Sequence, residues 1–161
     1  MLRLSIALPT LLLLACLSTA SAEEHDEHVS LAGDIRIVHP WTRAAKTGDN
    51  ALVFMDIDNG GRTDTMASAA SEAAASARIV GMTLKDGALA AREIGPLEIP
   101  AGDFDLDPGC VAIELGGLRP QLAPGDESEV ELRFETAGEV RLHVEVEAAD
   151  AVQHSHARHA H

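Results

Sequence analysis

Strict alternation of apolar and polar side chains near the end of the sequence constrains the fold most. In residues 129–135 every second side chain is apolar, and the same period of two returns in residues 140–146. Such a period places alternate side chains on opposite faces of a β-strand. The intervening residues 136–139 contain a glycine and suit a turn. We therefore predict a β-hairpin with one buried face and one charged face.

Five further segments favour strands, and turns rich in glycine and proline separate them. These segments are 35–38, 51–58, 77–82, 88–94 and 110–115. Many short strands with such turns indicate an all-β sandwich or barrel, which we place in one domain over residues 34–147.

Residues 67–77 are ambiguous because they hold seven alanines. Alanine has the highest helix propensity, which favours a helix. A strand, a turn and a second strand with closely packed alanines fit equally well, and both interpretations stay open.

Charge and aromatic content exclude several classes of function. The chain has 26 acidic and 12 basic residues, a formal net charge of -14, one tryptophan and three phenylalanines. An acidic chain repels phosphate backbones and anionic membranes, and few rings are available for stacking on bases. We therefore expect no nucleic-acid partner. The absence of a nucleophile elbow, a phosphate loop or a Cys-x-x-Cys motif predicts that the chain is not an enzyme.

The first 22 residues resemble an export signal. Arg3 precedes an apolar run, and the small residues ending at Ala22 suit cleavage, so that the mature chain begins at Glu23. The alternative is a lipoprotein site with Cys16 acylated. Both interpretations predict an exported protein that is not an integral membrane protein.

Histidines are concentrated at the two ends of the mature chain. Residues 23–33 form an acidic leader, and residues 148–161 form a tail without apolar periodicity, so we expect both to be flexible. Imidazole suits Cu(II), zinc and nickel. The tail ligands would be His154, His156, His159 and His161.

Cleavage before Glu23 would create a second site at the amino terminus. His25 would then be the third residue. The free amine, two deprotonated backbone amides and the His25 imidazole can form a square plane of four nitrogens, which Cu(II) and Ni(II) prefer.

The ordered segments of the domain resemble the PCuAC family of periplasmic copper chaperones. The matching segments are 35–43, 51–61, 82–87, 97–102, 108–109, 117–118 and 135–140. The resemblance implies a cupredoxin-like Greek-key β-sandwich in the periplasm. It also implies delivery of copper to a receiving protein, such as a cytochrome oxidase copper subunit or its assembly factor.

The resemblance also implies a Cu(I) site of histidines and methionines, and this sequence departs from it. The histidine positions fall at Val80 and Ala112, and two of the methionine positions fall at Ala91 and Glu114. Met82 is the one family ligand retained. A single thioether cannot hold Cu(I).

Cys110 is a further candidate beside Met82. It is the lone cysteine once the signal is removed, and alternation places it on the strand face of Ala112 and Glu114. A Cys110 thiolate with Met82 would be a soft pair suited to Cu(I). The alternative is that Cys110 is a small buried residue and Met82 fills a gap in the core.

Two histidines inside the domain have simpler interpretations. His39 precedes Pro40 and Trp41 and is expected to be structural, whereas His143 falls on the outward face of the last strand. Taken together, the sequence predicts an exported copper-binding or copper-chaperone-like protein. The alternative is a metal-free interaction module that has lost the family's copper site.

Overall fold

The computed structural model of the chain describes residues 29–154, which form eleven β-strands and no helix. The strands are β1 (Val29–Ala32), β2 (Ile35–Arg43), β3 (Ala51–Asn59), β4 (Asp64–Ala70), β5 (Ala74–Lys85), β6 (Ala88–Glu93), β7 (Leu97–Ile99), β8 (Gly102–Leu106), β9 (Val111–Leu118), β10 (Glu127–Phe134) and β11 (Gly138–Glu147). Over these residues, nothing resembles a membrane-spanning helix. The prediction of an all-β fold is confirmed.

The strands form one continuous hydrogen-bonded sheet that folds over into a sandwich. Its order is β6-β5-β9-β3-β2-β11-β10-β4-β7, with β1 added on β2 and β8 added on β3. The pair β2 and β11 is parallel, and the other pairs are antiparallel. The main core lies between the folded halves, since β3 and β9 bury side chains in the same cluster as β10 and β11.

The last hairpin follows the predicted alternation. Val130 and Leu132 of β10 and Leu142 and Val144 of β11 are each 0% exposed. The charged neighbours on the other face form cross-strand ion pairs, such as Arg141 with Glu131. The hairpin prediction is therefore confirmed in its position and in which side chains it buries.

The alanine-rich segment is a strand, a turn and a second strand. It contributes the end of β4 and the start of β5. β5 approaches β9 so closely at Ser76 that a Cβ atom on Gly116 would lie 2.6 Å from Ser76 Oγ. The small side chains of these strands permit this approach. Tertiary pairing has overridden the helix propensity of alanine.

Both ends of the domain extend beyond the predicted limits. Val29–Ala32, placed by the sequence in a flexible leader, pairs with β2 through a turn at Gly33, whose φ is +54°. Residues 148–154 pack against the sandwich, and His154 is only 4% exposed. The leader part is ordered by this local hairpin, and the tail part by contacts with distant strands that local periodicity does not reveal.

Candidate metal centre

The outer face of the sheet carries a second apolar cluster, separate from the main core. It consists of Trp41, Phe54, Val80 and Ala112. Val80 and Ala112 are cross-strand neighbours on β5 and β9, and both are 0% exposed. The Trp41 and Phe54 ring centroids lie 4.8 Å apart. We call these four residues the outer apolar cluster; it fills the two positions where the resemblance implies histidine ligands.

Met82 and Cys110 are each two residues along the chain from a member of this cluster, Val80 and Ala112 respectively. The Met82 N–H donates to the Cys110 carbonyl over 2.7 Å, and Met82 is also opposite Ala91 on β6. Cys110 is exposed and precedes β9, so its expected place inside the strand and the interpretation of a buried cysteine are both wrong. Within residues 29–154 it joins no group of three close His, Cys, Asp or Glu ligand atoms.

Glu114 is engaged in an ion pair. Its Oε1 accepts from Arg78 Nη2 at 2.6 Å and from Asn50 Nδ2 at 2.9 Å. The hydrogen bond and the charge of Glu114 raise the pKa of Arg78 above its ordinary value. Glu114 therefore links β5, β9 and the segment before β3.

A different group of ligand atoms lies at the end of β11. His154 Nε2 is 2.6 Å from Glu145 Oε2 and 3.7 Å from Glu147 Oε1. The three residues each offer one ligand atom, and these atoms all lie within 4.8 Å of one another. Glu145 and Glu147 share the outward face of β11 because their spacing is two. We call Glu145, Glu147 and His154 the carboxylate–histidine cluster.

His39 lies against this cluster. Its ring stacks on that of His154 with centroids 5.4 Å apart, and its Nδ1 is 3.5 Å from Asp56 Oδ2. His39 has a φ of +50°, which is uncommon for a residue with a Cβ atom. The bulge between Val38 and Trp41 in the pairing of β2 with β3 surrounds this residue.

The segment after β11 is fixed across the outer face. Arg43 Nε donates to the Ala151 carbonyl at 2.6 Å, and Ala151 packs against the outer apolar cluster. The Arg43 guanidinium also lies 5.9 Å from the Trp41 ring centroid and 5.5 Å from that of Phe54. Residues 148–154 consequently run from the outer apolar cluster, at Ala151, to the carboxylate–histidine cluster, at His154.

The sequence anticipated part of this arrangement. It singled out His154, but as a member of a flexible tail, whereas its side chain is buried beside two glutamates. His143 is exposed on β11 as predicted. The other predicted ligands, His25, His156, His159 and His161, lie outside the described residues.

Sequence reasoning missed Glu145 and Glu147 as possible ligands. The available signal was their spacing of two on an outward strand face, which places both carboxylates on one side. Many surface strands share that pattern, and the return of His154 to β11 is a tertiary feature.

Comparison with known proteins gives one family and a consistent set of structures. The LpqE-like lipoprotein family matches residues 35–146. The apo PCuAC domain from PmoF1 is 30% identical, with a TM-score of 0.63 over 75% of this chain and 99% of that domain. A search of curated proteins gives no match.

The PCuAC domain of PmoF2 is similar in two solved states. The apo form is 27% identical, with a TM-score of 0.63 over 78% of this chain and 99% of that domain. The copper-bound form is 27% identical, with a TM-score of 0.62 over 75% of this chain and 98% of that domain. The chain belongs to the LpqE-like family, and its β-sandwich is a relative of the PCuAC domains.

Proposed function

We propose that this chain is an exported copper-binding protein that captures copper in the periplasm and hands it to a receiving protein. The observation that carries the proposal is the similarity to the copper-bound PCuAC domain of PmoF2, which extends over 98% of that domain. Membership of a lipoprotein family supports export.

Copper binds outside the position that the family resemblance implies. Val80 and Ala112 offer no donor atoms and are buried with Trp41 and Phe54. Replacing this apolar contact by a metal would require ligands that these side chains lack. The sandwich therefore acts as a scaffold and docking surface, and the copper ligands belong to the first and last residues of the mature chain.

The amino-terminal ligands are the amine of Glu23, two backbone amides and the imidazole of His25. This set forms after cleavage behind Ala22 and suits square-planar Cu(II). The tail adds His156, His159 and His161, whose imidazoles also suit zinc and nickel.

Hand-over follows from ligand exchange. Ligands outside a rigid pocket can be replaced one at a time by those of a partner, so that copper is never released to water. The net charge of -14 attracts cations to the whole molecule. The receiving protein would be a copper subunit of cytochrome oxidase or its assembly factor, as the family resemblance implies.

The test is a Cu(II) titration of the mature chain beginning at Glu23. We expect at least one bound ion with the visible absorption of a four-nitrogen square plane, weakening as pH falls because every ligand must lose a proton. A matched variant with one residue added before Glu23 should lose this absorption, because His25 then occupies position four.

A second variant separates the tail from the amino terminus. Removing residues 155–161 should leave the square-planar signal intact and reduce the total copper bound. If neither end binds copper at micromolar concentrations, the chain is instead a metal-free interaction module. If the mature protein begins at an acylated Cys16, the amino-terminal part of the proposal is wrong.

A further inference from the structure

The carboxylate–histidine cluster has the composition of a transition-metal site built into the sandwich. Its donors are two carboxylates and one imidazole, which are both ligand types that zinc accepts, and three protein ligands leave the fourth position of a tetrahedral ion open. We propose that Glu145, Glu147 and His154 bind one Zn²⁺ ion. This site does not depend on the proposed copper function.

The separation of the donors fits a single ion. Zinc ligands lie about 2.1 Å from the ion in a tetrahedral arrangement, so two ligand atoms are about 3.4 Å apart. The three atoms here lie within 4.8 Å of one another, and the His154 nitrogen is 2.6 Å and 3.7 Å from the two glutamates. Side-chain movements of about 1 Å would bring all three atoms to the tetrahedral spacing.

Burial favours a real site over a surface ion pair. The His154 side chain is 4% exposed, and those of Glu145 and Glu147 are 24% and 15% exposed. Two carboxylates on one strand face repel each other, and a dication relieves that repulsion. Zn²⁺ would replace the hydrogen bond between His154 and Glu145, with the remaining imidazole proton on Nδ1.

His39 gives independent support. Its ring stacks on His154, and its Nδ1 lies 3.5 Å from Asp56 Oδ2. A non-glycine residue at a φ of +50° is a strained feature that clusters at functional sites. His39 acts as a positioning residue that fixes the plane of the His154 ring.

An ion at this site would fasten the carboxyl-terminal segment to the sheet. His154 lies three residues after Ala151, which covers the outer apolar cluster. The ligands come from β11 and from the segment behind it, so the site exists only in the folded chain. Zinc should consequently stabilise the fold, as any ligand does that prefers the folded state.

The experiment is thermal unfolding of the full mature chain with and without Zn²⁺. Ions held equally by folded and unfolded chains leave Tm unchanged, so histidines of the terminal segments contribute little to this readout. We expect Zn²⁺ at about a hundredfold excess over Kd to raise Tm by about 5–10 °C.

Matched variants identify the ligands. Glu147→Gln and His154→Gln should each lose most of the Tm shift, measured against the same variant in chelator. Glu127→Gln is the control, because Glu127 is the exposed cross-strand neighbour of Glu145 and the same charge is removed beside the site. It should keep most of the shift.

Two outcomes would overturn the proposal. One is an unchanged Tm of the wild-type chain in saturating Zn²⁺. The other is a shift that persists in Glu147→Gln and His154→Gln. If His154→Gln fails to fold, Glu147→Gln decides, since Glu147 is the more distant partner of His154. Neither outcome affects the copper proposal, which is measured by absorption at the amino terminus.

Discussion

Asp64 shows how one buried carboxylate joins distant parts of the sandwich. Its Oδ1 accepts from the N–H groups of Thr65 and Thr136, and its Oδ2 accepts from that of Ala137. Burial opposes ionisation, but these donors outweigh it and hold the pKa of Asp64 below its ordinary value. The side chain thereby fixes the turn between β10 and β11 to the start of β4.

Asp64→Asn should destabilise the fold by about 2 kcal/mol at pH 7, because an amide turns a donor toward one of these N–H groups. Since the pKa is lowered in the folded state, this stabilisation is complete above the ordinary value of 3.8. It is lost as pH falls through the folded-state pKa. Chemical unfolding at pH 7 and pH 3 measures both effects, and Glu98→Gln, an exposed change on the neighbouring strand β7, is the control.

Asp105 behaves in the opposite way. Asp105 is exposed, but desolvation by the surrounding atoms and the charges of Asp56, Asp103 and Asp107 raise its pKa. A raised carboxyl pKa means that the folded state loses stability as pH rises above the unfolded value. Asp105→Asn should therefore increase Tm at pH 7 and lose that advantage below pH 4. A lower Tm at pH 7 would show that the carboxylate makes a stabilising contact.

Strand pairing brings the positions of the implied family site next to one another. Val80 is opposite Ala112, and Met82 is opposite Ala91. The site lacks donor atoms, because Val80, Ala91 and Ala112 have none and only Met82 offers a thioether.

Val80→His, Ala91→Met and Ala112→His together should create Cu(I) affinity that the wild-type sandwich lacks. Two histidines and two thioethers, including that of Met82, form a soft site. The change should cost about 1–3 kcal/mol of stability without copper, since both histidines enter a packed cluster. Competition with a Cu(I) chelator measures the affinity, and asparagine in place of each histidine is the control. A folded histidine variant without Cu(I) affinity would mean that the positions are misassigned.

Residues 148–154 protect the lone tryptophan. Trp41 is 5% exposed, and Ala151 packs against its cluster. A chain ending at Glu147 should show a red-shifted Trp41 fluorescence and a lower Tm, because apolar surface becomes exposed. A chain ending at His154 should keep the wild-type spectrum. Identical spectra for the two truncated chains would contradict a covering role.

The strands that the sequence predicted are apolar or alternating runs bounded by turn residues. β10 and β11 have the strictest alternation and a local partner, so their buried faces could be inferred. β1, β4, β7 and β8 are short or interrupted by small residues; β1 forms a hairpin with β2, and long-range pairing determines the other three. The carboxylate–histidine cluster was inaccessible because no local pattern connects His154 with Glu145 and Glu147.

Across the whole molecule, we expect folding to be independent of the proposed copper binding. The main core is closed by apolar side chains from both halves of the sandwich. Residues 29–154 alone should therefore fold in the presence of a chelator, with Zn²⁺ adding stability. Circular dichroism and Tm measure this, and unfolding by chelator would reveal a structural metal.

We propose that copper binds at the ends of an exported chain and outside its β-sandwich. The most direct measurement is the copper content of the mature protein isolated from copper-supplemented cells, compared with residues 29–154 isolated in the same way. We predict at least one copper ion per mature chain, with the electron paramagnetic resonance of a four-nitrogen square plane, and no such signal from residues 29–154. A mature protein without copper would overturn the proposed copper binding, and an equal copper content and signal in both forms would overturn its location at the chain ends.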